Sequence, residues 1–187
     1  MPRLVVYDAC VLYPAGVRDL LLRLAHAELV QARWTDAILD EVFRNLRADR
    51  PDLAPAKLAR TRHLMRTRIP DCLVTGYEAL VGGLTLPDPQ DRHVLAAAIR
   101  CGAQAIVTSN LKDFPAAALA PYDLEATAPD DFVLDLLDLD EGAVADVVRT
   151  WVTALKEPPL PLSELLQGLA RHGLVRTAHR LRAVLGA

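Results

Sequence analysis

The sequence predicts an α/β fold in which a central parallel sheet lies between two layers of helices, a three-layer α/β/α sandwich. Two observations lead to this prediction. Short β-branched runs alternate with longer segments whose apolar residues recur at helical spacing, which is typical of a parallel sheet covered on both faces. The strand signals then stop near residue 140, which predicts a small helical appendage. The 187 residues, 52% of them hydrophobic, can bury a sizeable core.

The first α/β unit opens the chain. Residues 4–9 form a short apolar run that predicts a buried strand, and residues 17–29 follow with helical spacing. A second helix is predicted over 35–46, with Thr35 as its N-cap, and a third begins after the prolines near residue 55. The apolar segment 70–80 has the composition to hold a second short strand.

The clearest helical signal lies in the middle of the chain. Segment 88–102 begins with an N-cap and a first-turn proline, and it ends with Gly102, which suits the position just after a helix. Residues 105–110 then predict a strand that is followed by a loop. Ligands of such folds bind outside the carboxyl ends of the strands. Asp8 and Asn110 both fall there.

The C-terminal part of the chain predicts helices only. One helix carries an apolar stripe made of Val144, Val147, Val148, Trp151, Val152 and Leu155. Two short helices are expected after it, separated from it by a stiff, proline-rich joint over 156–163, with Ser163 as an N-cap. The predicted organisation is one α/β domain over residues 1–135 and a helical extension over residues 136–187.

Composition narrows the class of protein. The net charge of −3 does not indicate a strongly basic nucleic-acid binder. The three cysteines fit neither a disulfide framework nor a CxxC metal site, so we expect reduced core residues. No apolar stretch is long enough to span a bilayer. We therefore expect a cytoplasmic protein.

Asp8 is a charged residue within the otherwise apolar run VVYDACVLYP, and its presence there needs a chemical explanation. A lone ionised carboxylate in a dry interior costs several kcal/mol unless it is paired. One explanation is that Asp8 simply caps the following helix. The other is that it joins further oxygen-bearing side chains at the carboxyl edge of the sheet, namely Glu41, Asp88, Asp91, Asn110 and Asp113.

Each of these side chains also has a structural explanation. Glu41 lies at the margin of an apolar stripe, and taken by itself it is better explained as a solvated surface glutamate. Asp88 fits an N-cap, and Asp91 fits a capping arrangement or an interaction with the helix macrodipole. However, Asp91 shares a face with three apolar residues of its helix, which favours an inward orientation. Asn110 and Asp113 can also be ordinary loop residues.

If these groups converge, their mutual repulsion requires a cation or bound protons. Mg²⁺ and Mn²⁺ prefer oxygen ligands, and a carboxylate-held Mg²⁺ assists phosphodiester hydrolysis without a nucleophilic side chain. The absence of a convincing serine, cysteine or histidine nucleophile motif fits such metal-assisted hydrolysis.

Four segments together resemble the PIN-domain family of ribonucleases, in particular the bacterial VapC-type toxins. They are VVYDACVL, ILDEVFRNL, LPDPQDRHVLAAA and AIVTSNLKDFP, and their order and spacing match the family over roughly residues 3 to 135. The C-terminal helices resemble an extension found in one subset of these proteins. The resemblance implies a Mg²⁺- or Mn²⁺-dependent endoribonuclease with a parallel-sheet sandwich.

The resemblance also implies roles for residues. By position, Asp8, Glu41 and Asp91 correspond to the three carboxylate metal ligands. At the fourth position many relatives carry aspartate where this chain has Asn110, and the nearby Asp113 is an alternative ligand. The family further implies an RNA substrate, a small antitoxin partner that covers the active site, and a homodimer. This would be the toxin of a type II toxin–antitoxin pair.

Two patterns of basic residues bear on RNA binding. Residues 44–68 contain eight Lys or Arg against two Asp, which predicts either phosphate contacts or a solvated helix face. Arg44, Arg92 and Lys112 are better candidates, since they flank the acidic residues in the sequence. His93 is expected on the helix surface beside Arg92, outside any ligand set.

Three other functions compete with the ribonuclease interpretation. A phosphatase of the haloacid-dehalogenase type needs an aspartate two residues after Asp8, where this chain has Cys10. A GxxxxGK phosphate loop is absent, which disfavours a nucleotide hydrolase. The serious alternative is a degenerate PIN domain that binds RNA or protein without cutting, and Asn110 is the residue that motivates it.

Overall fold

The computed structural model describes residues 2–155 and 160–186. The four strands of this part are β1 Arg3–Tyr7, β2 Val30–Arg33, β3 Ala105–Val107 and β4 Glu125–Thr127. The helices up to β4 are α1 Ala9–Leu12, α2 Ala15–His26, α3 Asp36–Asp49, α4 Pro55–Arg68, α5 Glu78–Val81, α6 Arg92–Cys101 and α7 Ala116–Leu119. After β4 come α8 Pro129–Leu139, α9 Glu141–Ala154, α10 Leu162–Arg171 and α11 Val175–Leu185.

The four strands form one sheet in the order β2-β1-β3-β4, and every neighbouring pair is parallel. Val5, Val6 and Tyr7 of β1 are fully buried, as are all three residues of β3. Successive strand residues point to opposite faces, so their burial means that helices cover the sheet on both sides. The predicted α/β/α sandwich with a parallel sheet is confirmed.

Local signals placed several elements correctly. The Thr35 side chain accepts a hydrogen bond from the Ile38 N–H at 3.0 Å and caps α3 as predicted. Asp88 caps a 3₁₀ turn, Pro89–Asp91, by accepting from the Gln90 N–H at 2.8 Å, and α6 continues from this turn. Gly102 ends α6 with φ of +69°, a left-handed conformation that favours glycine.

The second strand differs from the prediction. Segment 70–80 contains no strand among the described residues, and Leu73 makes only an isolated parallel bridge to Trp34. The sheet instead takes β2, whose Val30 and Ala32 are buried while Gln31 is exposed. Pairing with β1 decides this, because a four-residue strand is stabilised by its neighbour more than by its own composition.

The C-terminal region is helical, as predicted, and two short helices follow α9. Ser163 was predicted as an N-cap, but α10 begins at Leu162, so Ser163 lies inside the helix and Pro161 precedes it. Proline suits a helix start because it has no N–H to satisfy. Of the predicted joint over 156–163, residues 156–159 lie outside the described residues. The predicted boundary between residues 135 and 136 stays a prediction, and it falls within α8.

The C-terminal helices pack tightly against the α/β part. The Phe132 ring of α8 meets the buried Tyr7 ring of β1 edge-on, with 6.1 Å between the ring centroids. Arg23 of α2 lies over the Trp151 ring at 5.5 Å. The nearly buried Asp130 accepts hydrogen bonds from the backbone N–H groups of Arg176 and Thr177 at the start of α11. These contacts make the extension part of the same packed core.

Among the described residues, no helix combines the length and apolar character needed to cross a membrane.

Candidate active site

The site lies where β1 and β3 end side by side. The register pairs Tyr7 with Val107, so Asp8 and Thr108, the next residue of each chain segment, are neighbours at the carboxyl edge of the sheet. The Asp8 N–H donates to the Val107 carbonyl at 3.1 Å. The position of Asp8 is therefore fixed by strand pairing.

The Asp8 carboxylate is buried and satisfied by three donors. One oxygen, Oδ1, accepts from the Ala9 N–H at 2.7 Å, so Asp8 does cap α1. The other oxygen, Oδ2, accepts from the Thr108 hydroxyl at 2.7 Å and from the Cys10 thiol at 3.1 Å. The capping role and the location at the sheet edge are both real, which explains how a carboxylate survives inside an apolar run.

Glu41 comes from α3, which the Thr35 cap holds in place. Burial raises the pKa of the Glu41 carboxyl, and the Asp8 and Asp88 charges act in the same direction, while Arg44 opposes them. Such interactions require proximity. Glu41 is therefore close enough to Asp8 for the two charges to interact.

Asp91 lies at the end of the 3₁₀ turn that leads into α6. Burial raises the pKa of its carboxyl to about 7, helped by the charges of Asp8, Asp88, Asp113 and Glu41. Its buried Oδ2 accepts no hydrogen bond from the described residues. Asp91 is thus a half-buried carboxylate surrounded by like charges and short of a partner.

The fourth position combines both candidate residues. The Asn110 side-chain amide donates to the Asp113 carboxylate, and the Asn110 N–H donates to the Thr108 hydroxyl at 3.0 Å. Asp113 is near enough to raise the pKa of Asp91. Asn110 thus holds Asp113, whose charge acts on Asp91. We define the acidic cluster as Asp8, Glu41, Asp91 and Asp113.

The acidic cluster has the chemistry of a hard-cation site. Its ligand atoms are carboxylate oxygens, its charges repel one another, and within the described part of the chain the buried Oδ2 of Asp91 accepts no hydrogen bond. Among the described residues, no three acidic, histidine or cysteine side chains already meet closely enough to hold one ion. The residues present fit Mg²⁺ or Mn²⁺ in type and charge.

Two further residues that contact Asp8 were not predicted as members of the site. Thr108 and Cys10 both touch Asp8, and Cys10 also accepts from the Ser109 N–H at 3.2 Å. Burial, followed by the Asp8 charge, raises the pKa of the Cys10 thiol to about 12, so the thiol stays protonated and acts as a donor. Both residues directly follow or lie close to a strand end in the sequence, and this position could have indicated that they belong to the site.

The expectation for His93 was wrong. Its ring is half-buried, and its Nε2 lies 4.0 Å from Glu41 Oε2, so it faces the acidic cluster. Burial lowers the pKa of His93. The reason for the error is tertiary packing: the start of α6 is half-buried, and Glu41 of α3 approaches His93 from another element.

Some of the basic residues already form salt bridges with aspartates, and others are exposed near the acidic cluster. In the basic segment, Arg62 pairs with Asp40 and Asp36, and Arg50 pairs with Asp52, so part of its charge is already neutralised. Arg44 is exposed and close to Glu41, and Lys112 is exposed on the turn after β3.

Arg92 is half-buried beside the site, and its Nε is buried with no hydrogen-bond partner among the described residues. The RNA-binding roles predicted for Arg44, Arg92 and Lys112 stay predictions.

Comparison with known proteins identifies the family. A family model described as "PIN domain" matches residues 4–112, and one described as "VapC50 C-terminal domain" matches residues 129–183. A Mycobacterium tuberculosis protein named "Putative ribonuclease VapC50" is 46% identical over 107 residues, 55% of this chain and 63% of that protein. The chain thus aligns with less than two thirds of the relative's length. No solved structure matches significantly. Since the first model covers more than half of the chain, which also has the expected parallel sheet, the chain belongs to the PIN domain family.

Proposed function

We infer that the protein is a metal-dependent endoribonuclease that hydrolyses RNA phosphodiester bonds, and that it is the toxin of a type II toxin–antitoxin pair. The observation that carries this inference is the state of Asp91. Its carboxyl has a pKa raised to about 7 among four other acidic groups, and its buried Oδ2 has no hydrogen-bond partner in residues 2–155 and 160–186. A cation relieves both conditions at once. The similarity to a protein named as a ribonuclease supports the choice of RNA.

The acidic cluster would hold Mg²⁺ or Mn²⁺, and Asn110 would assist by orienting Asp113. When bound, such a cation supplies Lewis acidity that polarises the phosphodiester and stabilises the leaving oxygen. Thr108 and Cys10 hold the Asp8 carboxylate in one orientation through their hydrogen bonds. No side chain of the cluster is required as a nucleophile.

The basic side chains near the acidic cluster would bind the phosphates of the RNA backbone. Arg44, Arg92 and Lys112 lie on three different elements that border the acidic edge. Positive side chains at these places would offset the repulsion between the carboxylates and the phosphates of the substrate. They would orient the strand across the site.

The central test is cleavage of RNA by purified wild-type protein with Mn²⁺ or Mg²⁺. We expect Asp8→Asn and Asp91→Asn each to abolish cleavage, because each substitution removes a charge that holds the cation. Asp146→Asn is a matched control on the exposed surface of α9 and should cleave like the wild type. Circular dichroism should show the same helix content in all four proteins.

The proposal fails if the wild type and both site variants cut RNA equally well, since cleavage would then come from a contaminant or from another site. Cleavage that persists in the presence of EDTA would contradict the metal dependence.

The toxin role predicts an effect on cells. Expression of the protein alone should arrest bacterial growth, expression of Asp91→Asn should not, and a short antitoxin gene should lie next to this gene. The antitoxin would cover the acidic cluster, and the active form would be a homodimer. Normal growth at a high level of wild-type protein would contradict the toxin role and leave the nuclease activity to be judged by the cleavage test.

A degenerate PIN domain that binds RNA or protein without cutting is the second candidate. Asn110 favours it, because an amide replaces a charge at the fourth position. Three carboxylates and Asp113 nevertheless give the acidic cluster four acids. Tight RNA binding without cleavage of any RNA by the wild type would favour this candidate over the nuclease.

A further inference from the structure

A cavity of about 310 Å³ opens beside Glu41, between α1 and α3. Its walls are Ala9, Cys10, Tyr13, Glu41, Asn45 and Asp49. This volume is at the lower end of the range for small-molecule sites, about 300–1,000 Å³, so it suits one planar ring system. Glu41 belongs both to this cavity and to the acidic cluster, so a group in the cavity lies next to the proposed point of cleavage.

We propose that this cavity binds one nucleobase of the RNA, the base adjacent to the cleaved bond, and that it selects bases presenting N–H donors, guanine above the others. This rests on the proposed nuclease function and adds a sequence preference to it. Neither the family model nor the named relative assigns a role to the cavity.

The polar groups of the cavity are acceptor-rich. Glu41, Asn45 and Asp49 follow one another at intervals of four residues, so they line one face of α3. None of the lysines and arginines that the structure describes lines the cavity. A phosphate would therefore be repelled there, whereas the edge of a base that carries N–H groups would be attracted.

Guanine fits this acceptor set best. It presents two donors side by side, N1–H and the N2 amino group, which match the two oxygens of a carboxylate in a bidentate pair. Adenine and cytosine offer only the exocyclic amine at this edge, and uracil offers one ring N–H. The cavity should therefore rank guanine first and uracil low.

Tyr13 provides the face against which the base stacks. Its ring is half-buried and packs against the core, and its hydroxyl donates to Asp49 Oδ2 at 2.9 Å. This hydrogen bond holds the Tyr13 ring in one orientation, so a base that stacks on the ring loses little side-chain entropy. Aromatic stacking combined with hydrogen bonds to base edges is the usual way in which proteins read unpaired RNA bases.

Arg44 connects the cavity to the phosphate backbone. It precedes Asn45 on α3, it is exposed, and its charge acts on Glu41. A nucleotide with its base in the cavity would pass its phosphate between Arg44 and the acidic cluster. This path explains how an acidic cavity can accept part of an anionic strand.

The test measures which base lies next to the cut. RNA with a randomised segment is incubated with wild-type protein and Mn²⁺, and the new ends are sequenced. We expect guanine to be enriched beside the cut, and we expect Asp49→Asn and Tyr13→Ala to reduce this enrichment by about tenfold or more. Asp146→Asn and Tyr122→Ala, which alter exposed residues outside the cavity, should keep the wild-type preference.

A binding measurement separates this inference from the nuclease proposal. Fluorescence anisotropy with the non-cleaving Asp91→Asn protein compares a labelled hexauridine with the same oligonucleotide carrying one guanine. Tighter binding of the guanine form, lost when Asp49→Asn is added, supports the base site even if no RNA is cut, in which case only the nuclease proposal fails. Asp49→Asn is nearly isosteric on an exposed turn of α3, so it keeps the test valid if Tyr13→Ala is unstable.

Cleavage by the wild type without any base preference would overturn the base site. A preference that is unchanged in Asp49→Asn and Tyr13→Ala would do the same. Both results would leave the nuclease proposal intact. Equal binding of both oligonucleotides overturns it as well.

Discussion

Asp8 shows how one buried carboxylate serves two purposes. One of its oxygens caps α1, and the other accepts from Thr108 and Cys10 across the sheet edge. The capping hydrogen bond comes from the N–H of the next residue, Ala9, and is local. The hydrogen bond from Thr108 instead depends on the pairing of β1 with β3. A residue that looks like either a cap or a functional acid can therefore be both.

The raised pKa of Asp91 predicts that cation binding at the acidic cluster depends on pH. Its pKa is raised from 3.8 to about 7, mainly by burial and then by the Asp8 charge. In the metal-free protein, the stability that Asp91 contributes is fully present below about pH 4 and is lost as the pH rises through 7, because the folded state then has to hold the ionised form. A bound cation reverses this loss.

We therefore expect Mn²⁺ to raise the melting temperature more at pH 8 than at pH 5. Asp91→Asn cannot ionise, so it should melt at or above the wild-type temperature without metal at pH 8 and should gain little from Mn²⁺. Thermal melts across pH 5 to 8, with and without Mn²⁺, measure both effects. An equal Mn²⁺ effect at pH 5 and pH 8 in the wild type would contradict the role of Asp91.

At the scale of elements, α6 positions Asp91 at its start and ends at Gly102. The φ of +69° at Gly102 is costly for a residue with a Cβ, although no atom would clash with that Cβ. Gly102→Ala should therefore lower the free energy of unfolding by about 1 kcal/mol through backbone conformation alone. Urea unfolding measures the difference.

Gly82 is the matched control for this prediction. It is exposed like Gly102, its Cβ would also meet nothing within 4 Å, but its φ is −67°. Gly82→Ala should leave stability unchanged or raise it by up to about 1 kcal/mol. Equal losses in the two variants would show that the left-handed conformation is not the cause.

Strands were harder to predict than helices. The α3 and α6 signals are local, since caps, prolines and apolar spacing lie within the helix itself. The strands β2 and β4 have four and three residues, and they exist because β1 and β3 offer them partners. Segment 70–80 is apolar, but apart from the Leu73 bridge to Trp34 it stays outside the sheet.

At the scale of the whole molecule, the C-terminal helices share the core of the α/β part. Trp151 of α9 is almost fully buried and lies under Arg23 of α2, and Phe132 of α8 packs against Tyr7. Interactions of this kind couple the unfolding of the two regions. The molecule should unfold in one cooperative step.

Trp151→Ala tests this coupling. Loss of a buried tryptophan costs about 3–5 kcal/mol, and the whole molecule should lose that stability. The chain has two tryptophans, so in this variant the fluorescence comes from Trp34, which is buried beside Tyr7 of the sheet. A lower midpoint reported by Trp34 supports one cooperative unit. An unchanged Trp34 midpoint, with loss of helix content at lower denaturant, would show that the extension unfolds alone.

The sequence by itself determined the fold class, the helices α3 and α6, and the strands β1 and β3. It also placed Asp8 after β1 and Asp91 at the start of α6. These follow from hydrophobic period and capping, which are local. Only the tertiary structure decided that Thr108, Cys10 and His93 face the acids, that Asn110 holds Asp113, and that Tyr13 closes a cavity with Asp49. The contacts of Thr108 with Asp8, of His93 with Glu41 and of Tyr13 with Asp49 depend on strand register and helix packing, which join residues that are far apart in the chain. The contacts of Cys10 with Asp8 and of Asn110 with Asp113 are local, but they depend on side-chain and loop conformations that the sequence pattern does not specify.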